Sequence, residues 1–135
     1  MFYQLIYVSR AVAPLSAEEM QSLITHARNF NSVHHITGVL FYDGEHFAQI
    51  LEGAENEVES LYARIKVDTR HRQVTTVTRT RRPRREYPHW GMAGHLLAAA
   101  QFAELVKCLP DETEQPAPRS LRVRLEPFVA HSQRL

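Results

Sequence analysis

The sequence predicts an α+β fold, a ferredoxin-like β-α-β-β-α-β-β sandwich with a C-terminal helical cap. Segments rich in β-branched and aromatic residues alternate with segments whose apolar residues recur at helical spacing, and the composition after Gly94 shifts towards helix formers. The chain has 135 residues, which suits one compact domain with a substantial core. We expect a core domain at residues 1–94 and a helical extension at residues 95–135 that packs on the sheet.

Composition and charge disfavour several classes of protein. With 44% hydrophobic residues and a formal net charge of +1, neither disorder nor a strongly charged partner is indicated. The single cysteine, Cys108, excludes an intramolecular disulfide and a multi-cysteine metal site, and we expect it to be a buried thiol. No apolar run approaches the roughly 18 residues of a membrane span, and no signal-peptide pattern follows Met1. We therefore expect a soluble, cytoplasmic protein without a membrane partner.

The first strand and helix are predicted by residue type and by a capping motif. Residues 2–9, FYQLIYVS, are aromatic and β-branched, which favours a strand. Ser16 followed by Glu19 forms a capping box, which predicts a helix over residues 16–31. The apolar face of this helix, continued by its own spacing, reaches Asn31. This amide should therefore point inward.

A hairpin follows the first helix. Residues 36–42 and 46–51 predict two strands, and the DG pair at residues 43–44 is typical of a two-residue turn. Such a turn pairs Gly38 with Gln49, an amide among buried strand residues. Because an unpaired buried amide costs roughly 1–3 kcal/mol, Gln49 needs a partner. We expect Gly38 to leave space beside it.

The remaining core elements are a helix, a polar strand and a short last strand. Apolar spacing predicts a helix over residues 55–68, and residues 74–80 predict a strand with one exposed face. The segment RTRRPRRE, residues 79–86, is expected to be a solvated basic loop. PHWGMAG is expected to form a short final strand with Trp90 and Met92 on the same face.

The tail predicts two more helices. Residues 96–109, LLAAAQFAELVKCL, form a helical run that ends at Pro110. Residues 111–120 are a polar, proline-bearing linker, and residues 121–131 predict a last helix interrupted by Pro127. Two helices on one side of the sheet leave its other face apolar, so we expect the tail to cover that face.

Three functions suggested by single features are disfavoured. A nucleic-acid-binding sheet would display aromatic residues beside basic ones, whereas the basic residues here cluster in one segment. The eight histidines, including the adjacent His34 and His35, lack metal-ligand spacing, so we expect surface or turn histidines and no metal. The loop SRAVAPLS has Arg10 but no glycine to wrap an anion, which disfavours an acylphosphatase-like enzyme. What remains is a set of residues predicted to converge on one site: Tyr7, Asn31, Gln49, Trp90 and Met92.

The segments LIYVSRA, ITGVLFYDGEHFAQILEG, LYARIKVDTRHR and YPHWGM resemble the BLUF family of flavin-binding blue-light sensors. The resemblance is collinear over roughly residues 2–94. It implies a ferredoxin-like fold that holds the isoalloxazine ring of FAD, or of FMN as the alternative, between the two core helices. His35 stands where the family often has glycine, so the loop into the second strand should differ. Phe30 occupies a variable position and is expected to pack near the ring edge.

By motif position, the resemblance implies roles for individual residues. Tyr7 matches the redox-active tyrosine of the family, Gln49 its switching glutamine, and Asn31 an asparagine that hydrogen-bonds the flavin. Trp90 and Met92 match the pair whose placement near or away from the flavin bears on signal output. The other residues expected around the flavin are Ile24, Arg28, Phe30, Arg64, Asp68, Arg70 and His71.

The resemblance implies a photoreceptor and not an enzyme. An excited flavin would draw an electron from Tyr7, the proton would follow through Gln49, and the return would leave a rearranged hydrogen-bond network with red-shifted absorption. No covalent adduct is expected, because Cys108 lies outside the matched region. We expect no room for an attached output domain, so the lit state would act on an unidentified downstream protein or on self-association. The alternatives are a flavin-dependent redox enzyme and a cofactor-free ferredoxin-like interaction or RNA-binding module.

Overall fold

The structure is a computed structural model that describes residues 1–111 and 120–135. Most of the linker predicted at residues 111–120 lies outside the described residues. The strands are β1 (Phe2–Ala11), β2 (Thr37–Tyr42), β3 (His46–Gly53), β4 (His71–Arg82), β5 (Ala93–Leu96) and β6 (Gln133–Arg134). The helices are α1 (Ala17–His34), α2 (Glu55–Lys66), α3 (Ala99–Cys108) and α4 (Leu121–Ala130).

The described strands form one sheet in the order β4-β1-β3-β2-β5-β6. Strand β1 lies between β4 and β3, and β2 follows β3, with antiparallel pairing at each junction. Strand β5 adds to β2 in parallel, and β6 pairs with β5 in the antiparallel sense. This sheet confirms the predicted α+β, ferredoxin-like fold. The short strand β6 was not predicted.

Two hydrophobic clusters lie on opposite faces of the sheet. Because successive strand residues point to opposite faces, Leu5 belongs to the first cluster and its neighbour Ile6 to the second. Helices α1 and α2 cover the first face with Met20, Ile24, Val58 and Tyr62. Helices α3 and α4 cover the second face with Phe102, Leu105, Leu121 and Leu125. The tail therefore packs where the sequence predicted a cap.

Helix α1 begins as predicted and ends three residues later than predicted. Ser16 Oγ accepts from the Glu19 backbone N–H at 3.1 Å, and Glu19 Oε1 accepts from the Ser16 N–H at 3.0 Å. The helix ends at His35, which has left-handed angles of φ 55° and ψ 37°. Glycine adopts this conformation most readily, so histidine is a less favourable residue at this position. Asn31 is 1% exposed, so the prediction that it points inward is confirmed.

The predicted register of the hairpin is wrong by two residues. Gln49 lies opposite Leu40 and not opposite Gly38. The reason is the turn: the Asp43 carboxylate accepts from the backbone N–H groups of Glu45 at 2.8 Å and His46 at 2.6 Å, which builds a longer loop than the two-residue turn. An even shift keeps every side chain on its predicted face.

Gly38 is required by the backbone and does not make room for an amide. A Cβ atom at Gly38 would lie 1.9 Å from the carbonyl oxygen of Ile50 on the neighbouring strand. The Gly38 N–H donates to the Trp90 carbonyl oxygen at 2.8 Å. Glycine at this position therefore lets β2 approach β3 closely and also holds the chain before β5.

Strand β4 is longer than predicted at both ends. It already begins at His71, and residues Arg79–Arg82 of the predicted basic loop belong to it. Two of these arginines pair with acids of α2: Arg79 with Glu59 at 2.8 Å and Arg81 with Glu55 at 2.5 Å. Their charges are thus partly balanced within the domain.

The tail differs from the prediction in two details. Helix α3 starts at Ala99, since Leu96 still belongs to β5 and the Leu97 N–H donates to the Tyr42 carbonyl at 2.8 Å. Helix α4 is not interrupted, because it continues through Pro127 to Ala130. Cys108 is partly buried against the second cluster.

None of the helices in the described ranges is both long and apolar enough to cross a membrane.

Candidate flavin site

A cavity of about 330 Å³ lies between α1, α2 and the first face of the sheet. Helix α1 lines one side, α2 another, and side chains of β1, β2 and β3 form the base. The walls combine apolar side chains with amide, imidazole, guanidinium and carboxylate groups, a mixture typical of ligand pockets. The lining residues are Tyr7, Leu23, His26, Ala27, Phe30, Asn31, Leu40, Phe47, Gln49, Leu61, Arg64, Ile65, Asp68, Arg70 and His71.

The partner that Gln49 requires is Tyr7. The two residues lie directly opposite each other on β1 and β3, and the Tyr7 hydroxyl donates to Gln49 Oε1 at 2.5 Å. At its other end, Gln49 Nε2 donates to Met92 Sδ at 3.4 Å. The amide thus has a strong donor at its oxygen and a weak sulfur acceptor at its nitrogen.

The surroundings of Tyr7 keep its hydroxyl protonated. Tyr7 is 4% exposed, and burial raises the pKa of its phenol well above the usual range. The nearby Tyr62 and the negative charge of Asp68 raise the pKa further. The Tyr62 ring lies 5.4 Å from the Tyr7 ring. Tyr7 is therefore a neutral hydrogen-bond donor at any ordinary pH.

Asn31 presents a buried acceptor at the cavity. Its Nδ2 donates to the Gly91 carbonyl oxygen at 2.8 Å. Its Oδ1 is buried and has no hydrogen-bond partner among residues 1–111 and 120–135. Such an orphaned group is costly, at roughly 1–3 kcal/mol, unless a ligand donates to it. A flat aromatic ligand with a polar edge, such as a flavin, fits this acceptor and the apolar walls beside it.

Three charged groups and an aromatic ring lie at the wall of the cavity. The Phe30 ring stacks on the His34 ring at 4.1 Å, and the Arg64 guanidinium carbon lies 4.7 Å from the centre of the Phe30 ring. Arg70 donates to the Asp68 carboxylate at 2.5 Å, which lowers the pKa of Asp68 to about 2. Asp68 is therefore charged above that pH and pairs with Arg70.

The expectation of surface or turn histidines is wrong for His95, whereas His71 lies at the cavity, where the resemblance placed it. His71 lines the cavity; its Nε2 lies 2.6 Å from the Ile65 carbonyl oxygen, and its Nδ1 lies 2.8 Å from Ser9 Oγ. Because a carbonyl only accepts, Nε2 carries the proton and Nδ1 accepts from the Ser9 hydroxyl. His95 is 4% exposed and bonds to Ser132 in the tail at 2.8 Å.

Most residues expected around a flavin line the cavity together. Tyr7, Gln49, Asn31, Phe30, Arg64, Asp68, Arg70 and His71 all do so. Ile24 and Arg28 do not line it. Ile24 is fully buried in the first cluster, and Arg28 Nε donates to the Met92 carbonyl oxygen at 2.9 Å. Arg28 therefore holds the chain next to the site.

Trp90 and Met92 do not share a face, contrary to the prediction. Strand β5 starts only at Ala93, so the alternation of a strand does not apply to residues 90–92. Met92 is buried in the first cluster against Gln49. Trp90 packs against the second cluster, where its ring lies 5.1 Å from the Tyr87 ring.

The apolar lining was not singled out as a site from the sequence. Leu23 and Ala27 belong to the stripe of α1 that ends at Asn31, and this spacing was the signal that placed them beside the amide. His26 gave no such signal. The remaining lining residues are Leu40, Phe47, Leu61 and Ile65.

In the part of the chain that the structure describes, no group of three or more histidine, cysteine or acidic side chains is placed to hold a metal ion.

Comparison with known proteins identifies the family. Residues 2–93 match the family BLUF, described as sensors of blue-light using FAD. Photoactivated adenylate cyclase subunit beta of Euglena gracilis is 38% identical over 84 residues, which cover 62% of this chain and 10% of that protein. The blue light- and temperature-regulated antirepressor BluF of Escherichia coli strain K12 is 30% identical over 92 residues, 68% of this chain and 23% of that protein.

A solved structure agrees with this match. The dark-state structure of BlrB, a BLUF protein, is 25% identical and superposes with a TM-score of 0.68, covering 78% of this chain and 79% of that chain. This chain spans about a tenth of the length of the Euglena relative, so the cyclase activity in its name belongs to a much longer protein. The match over most of the chain, the shared fold and the lined cavity lead to one conclusion: the chain belongs to the BLUF family of flavin-using blue-light sensors.

Proposed function

We propose that this chain is a photoreceptor that binds FAD in the cavity and signals through the hydrogen bonds of Tyr7 and Gln49. One observation carries the proposal. The Tyr7 hydroxyl and the Gln49 amide form a buried hydrogen bond of 2.5 Å at the wall of a cavity that also offers an unpartnered amide oxygen. The hydrogen-bonded pair and the residue with the unpartnered oxygen, Asn31, all line the same cavity.

Some residues of the cavity would bind the flavin ring, and others would change their hydrogen bonds in response to light. Asn31 would hydrogen-bond the polar edge of the flavin, and the apolar side chains of α1 and α2 would enclose the ring. Arg64 supplies positive charge, which suits the phosphate groups of a flavin nucleotide, whereas the charge of Arg70 is paired with Asp68. The family description names FAD, which supports FAD as the proposed cofactor.

The photochemistry begins from a neutral phenol. When bound, a flavin absorbs blue light, and its excited state is a strong one-electron oxidant. Tyr7 keeps its proton in the dark because burial raises its pKa. A phenol that has lost an electron is a strong acid, so its proton passes to the acceptor already in place, Gln49 Oε1. Return of the electron returns the proton, and no net oxidation results.

Gln49 is the group that can be left in a new state. An amide offers an acceptor at one end and a donor at the other, so rotation or a change of tautomer exchanges what it presents to its neighbours. Among the described residues, its nitrogen donates only to Met92 Sδ, at 3.4 Å, and sulfur is a weak acceptor. The Met92 contact therefore opposes the change only weakly, and the strong bond from the Tyr7 hydroxyl to Gln49 Oε1 is interrupted when Tyr7 gives up its proton.

The signal would reach a downstream protein or a second copy of this chain through the tail. Helices α3 and α4 pack on the opposite face of the same sheet, and the chain from residues 86–92 contacts both faces. A coupling of about 1–3 kcal/mol between the photostate and the tail would suffice for a useful shift in population. The named outputs of the longer relatives, a cyclase and an antirepressor, show two kinds of output in that family.

The test is the colour and reversibility of the purified full chain. We expect it to retain or take up FAD, and to give a small red shift under blue light that decays in darkness without added reductant. Bleaching to reduced flavin that requires an oxidant to reverse would instead indicate a redox enzyme. A chain that takes up neither FAD nor FMN would contradict both and would favour a cofactor-free module.

A further inference from the structure

The side chain of Glu52 is a buried carboxylate without an assigned role. Glu52 lies on β3, three residues after Gln49, and is 0% exposed. Its oxygens accept from the backbone N–H groups of Glu86 at 2.9 Å and Tyr87 at 2.8 Å, and from Gln4 Nε2 at 3.2 Å. All three contacts are donors, so each requires an acceptor on the Glu52 side chain.

Burying this carboxylate is energetically unfavourable, so a role beyond filling the core is expected. A buried carboxylate has a desolvation penalty of several kcal/mol, and burial raises the pKa of Glu52 above its usual value. Its hydrogen bonds from Glu86 and Tyr87 act in the opposite direction. The two oxygens of the carboxylate accept from the consecutive backbone N–H groups of Glu86 and Tyr87, and so fix an irregular segment of the chain.

That segment, residues 86–92, carries Met92 to Gln49. It has neither helix nor strand, so its position depends on contacts from neighbouring elements. Near its C-terminal end, the Trp90 and Gly91 carbonyls accept from Gly38 N–H and Asn31 Nδ2, each at 2.8 Å. The Met92 carbonyl accepts from Arg28 Nε at 2.9 Å. Glu52 supplies the corresponding hold at the N-terminal end.

We propose that Glu52 is a positioning residue for the Gln49 switch: its carboxylate anchors residues 86–92 to the sheet and so keeps Met92 Sδ at the Gln49 amide. The inference rests on the proposed function of Gln49. Because Glu52 and Gln49 are both on β3, one strand holds both the switching amide and the segment that contacts it. Loosening the anchor lets Met92 withdraw and lowers the barrier to reorientation of the Gln49 amide.

The anchor extends to the tail. The Glu86 carboxylate accepts from the backbone N–H groups of Leu121 at 3.2 Å and Arg122 at 3.4 Å, the first residues of α4. The Arg122 guanidinium lies 5.4 Å from the centre of the Trp90 ring. Glu52 therefore fixes the backbone of Glu86, whose side chain accepts from the first two N–H groups of α4.

The test compares Glu52→Gln with Glu59→Gln in the full chain. Glutamine keeps the size of the side chain but presents an NH₂ group to backbone donors. Glu59 is a matched control, since its carboxylate also joins elements, through Tyr3 and Arg79, without touching residues 86–92. The chain has one tryptophan, so its fluorescence reports Trp90 alone.

Two measurements decide the result: the fluorescence of Trp90, recorded with and without added FAD, and the rate of dark recovery of the FAD-loaded protein. In Glu52→Gln we expect the fluorescence emission of Trp90 to shift to longer wavelength, with at least about twofold greater quenching by acrylamide. We also expect dark recovery to accelerate about fivefold or more, which corresponds to a small fall in the activation barrier. Glu59→Gln should change neither. Trp90 emission and quenching unchanged in a folded Glu52→Gln would overturn the anchor.

A second background separates positioning from general destabilisation. Met92→Leu removes the sulfur acceptor and keeps the apolar volume, so any effect of Glu52 that acts through this contact is already absent in this background. If Glu52 acts through Met92, adding Glu52→Gln to Met92→Leu should change recovery by less than about twofold. A further acceleration equal to that in the wild-type background would refute the positioning role.

The wild-type chain provides a measurement that needs no variant. The amide hydrogens of Glu86 and Tyr87 should exchange with solvent far more slowly than that of the exposed His89, although all three lie outside regular structure. Equal, unprotected exchange at Glu86 and Tyr87 would overturn the anchor even if Glu52→Gln fails to fold. If the chain shows no light response, the proposed function fails, while Trp90 quenching and amide exchange still decide whether Glu52 holds the segment.

Discussion

Tyr7 and Gln49 are direct cross-strand partners, and the Tyr7 hydroxyl donates to Gln49 Oε1 at 2.5 Å. Their relative position is set by the ladder between β1 and β3, two central strands of the sheet. Side chains held on such strands are placed more accurately than side chains on loops. Met92, which accepts from the Gln49 amide, lies in an irregular segment, so we expect its position to vary more than those of Tyr7 and Gln49.

Replacing Tyr7 with phenylalanine should keep the flavin and abolish the red shift. The ring remains to fill the space, while the hydroxyl that donates to Gln49 is lost. Light-minus-dark absorption of the flavin-loaded variant is the measurement. Tyr62→Phe is the matched control, since its hydroxyl bonds to Thr76 and its ring lies 5.4 Å from the Tyr7 ring. A normal photocycle in Tyr7→Phe, or its loss in Tyr62→Phe as well, would count against the assigned role.

Replacing Gln49 with leucine should also abolish the red shift. Leucine has no acceptor for the Tyr7 hydroxyl and no donor for a new bond, so the network has nothing to rearrange. The buried hydroxyl of Tyr7 would lose its partner, which should reduce the free energy of unfolding by about 1–3 kcal/mol. Absorption spectroscopy and urea denaturation measure the two effects. A persistent red shift in this variant would place the switch elsewhere.

Replacing His35 with glycine should stabilise the protein. His35 ends α1 at φ 55°, and an L-residue in this conformation is disfavoured by roughly 1–2 kcal/mol, partly offset by the greater freedom of glycine in the unfolded chain. We expect a gain of about 0.5–1 kcal/mol in urea denaturation. His34→Gly is the control and should destabilise, since His34 is helical and stacks on Phe30. Destabilisation by both variants would show that contacts of the His35 side chain contribute more to the free energy of unfolding than its left-handed backbone conformation costs.

Replacing Leu105 with alanine should test the packing of the tail. Leu105 is 0% exposed in the second cluster, and a leucine-to-alanine change in such a position costs about 2–5 kcal/mol. Val106→Ala, at a neighbouring residue that is 39% exposed, should change stability by less than about 1 kcal/mol. Urea denaturation compares the two. Similar, small losses would indicate that α3 does not cover the sheet in solution.

Stability should fall at alkaline pH because buried phenols resist ionisation. Burial and the Glu59 hydrogen bond raise the pKa of Tyr3 to about 12, and burial raises the pKa of Tyr7 and Tyr87 further. A raised folded pKa leaves stability intact below the unfolded value near 10 and removes it as pH rises towards the folded value. Each phenol then contributes a loss of up to about 1.4 kcal/mol per pH unit.

Denaturation curves one pH unit below and above pH 10 measure this loss. Tyr7→Phe provides the internal comparison, since its stability should fall less steeply above pH 10 than that of the wild type. Equal slopes in the two proteins would mean that Tyr7 ionises as readily in the folded state as in the unfolded chain.

The core elements were predictable because local signals and the fold agree. The capping box of Ser16 and Glu19 marked the start of α1, and its stripe placed Asn31 inward. Tyr7 and Gln49 could be recognised as polar residues on apolar strands. Their direct pairing could not be deduced from residue patterns, because the order of strands in a sheet is a tertiary property; it was implied by the family resemblance, and the structure shows it.

The errors have local physical causes. The predicted hairpin register was wrong because hydrogen bonds to the Asp43 side chain form a longer loop than the two-residue turn expected from residues 43–44. Trp90 and Met92 were assigned to one face because a strand was expected where the chain is irregular. Glu52 was missed although it shows the same signal as Gln49, a polar residue in a buried strand.

A light-minus-dark absorption spectrum of the full chain, loaded with flavin and free of added reductant, tests the central claim most directly. The account predicts a small red shift of the oxidised flavin band that appears under blue light, decays in darkness and is absent in Tyr7→Phe. A flavin-loaded chain whose spectrum does not change under blue light, or bleaches and does not recover, would contradict it.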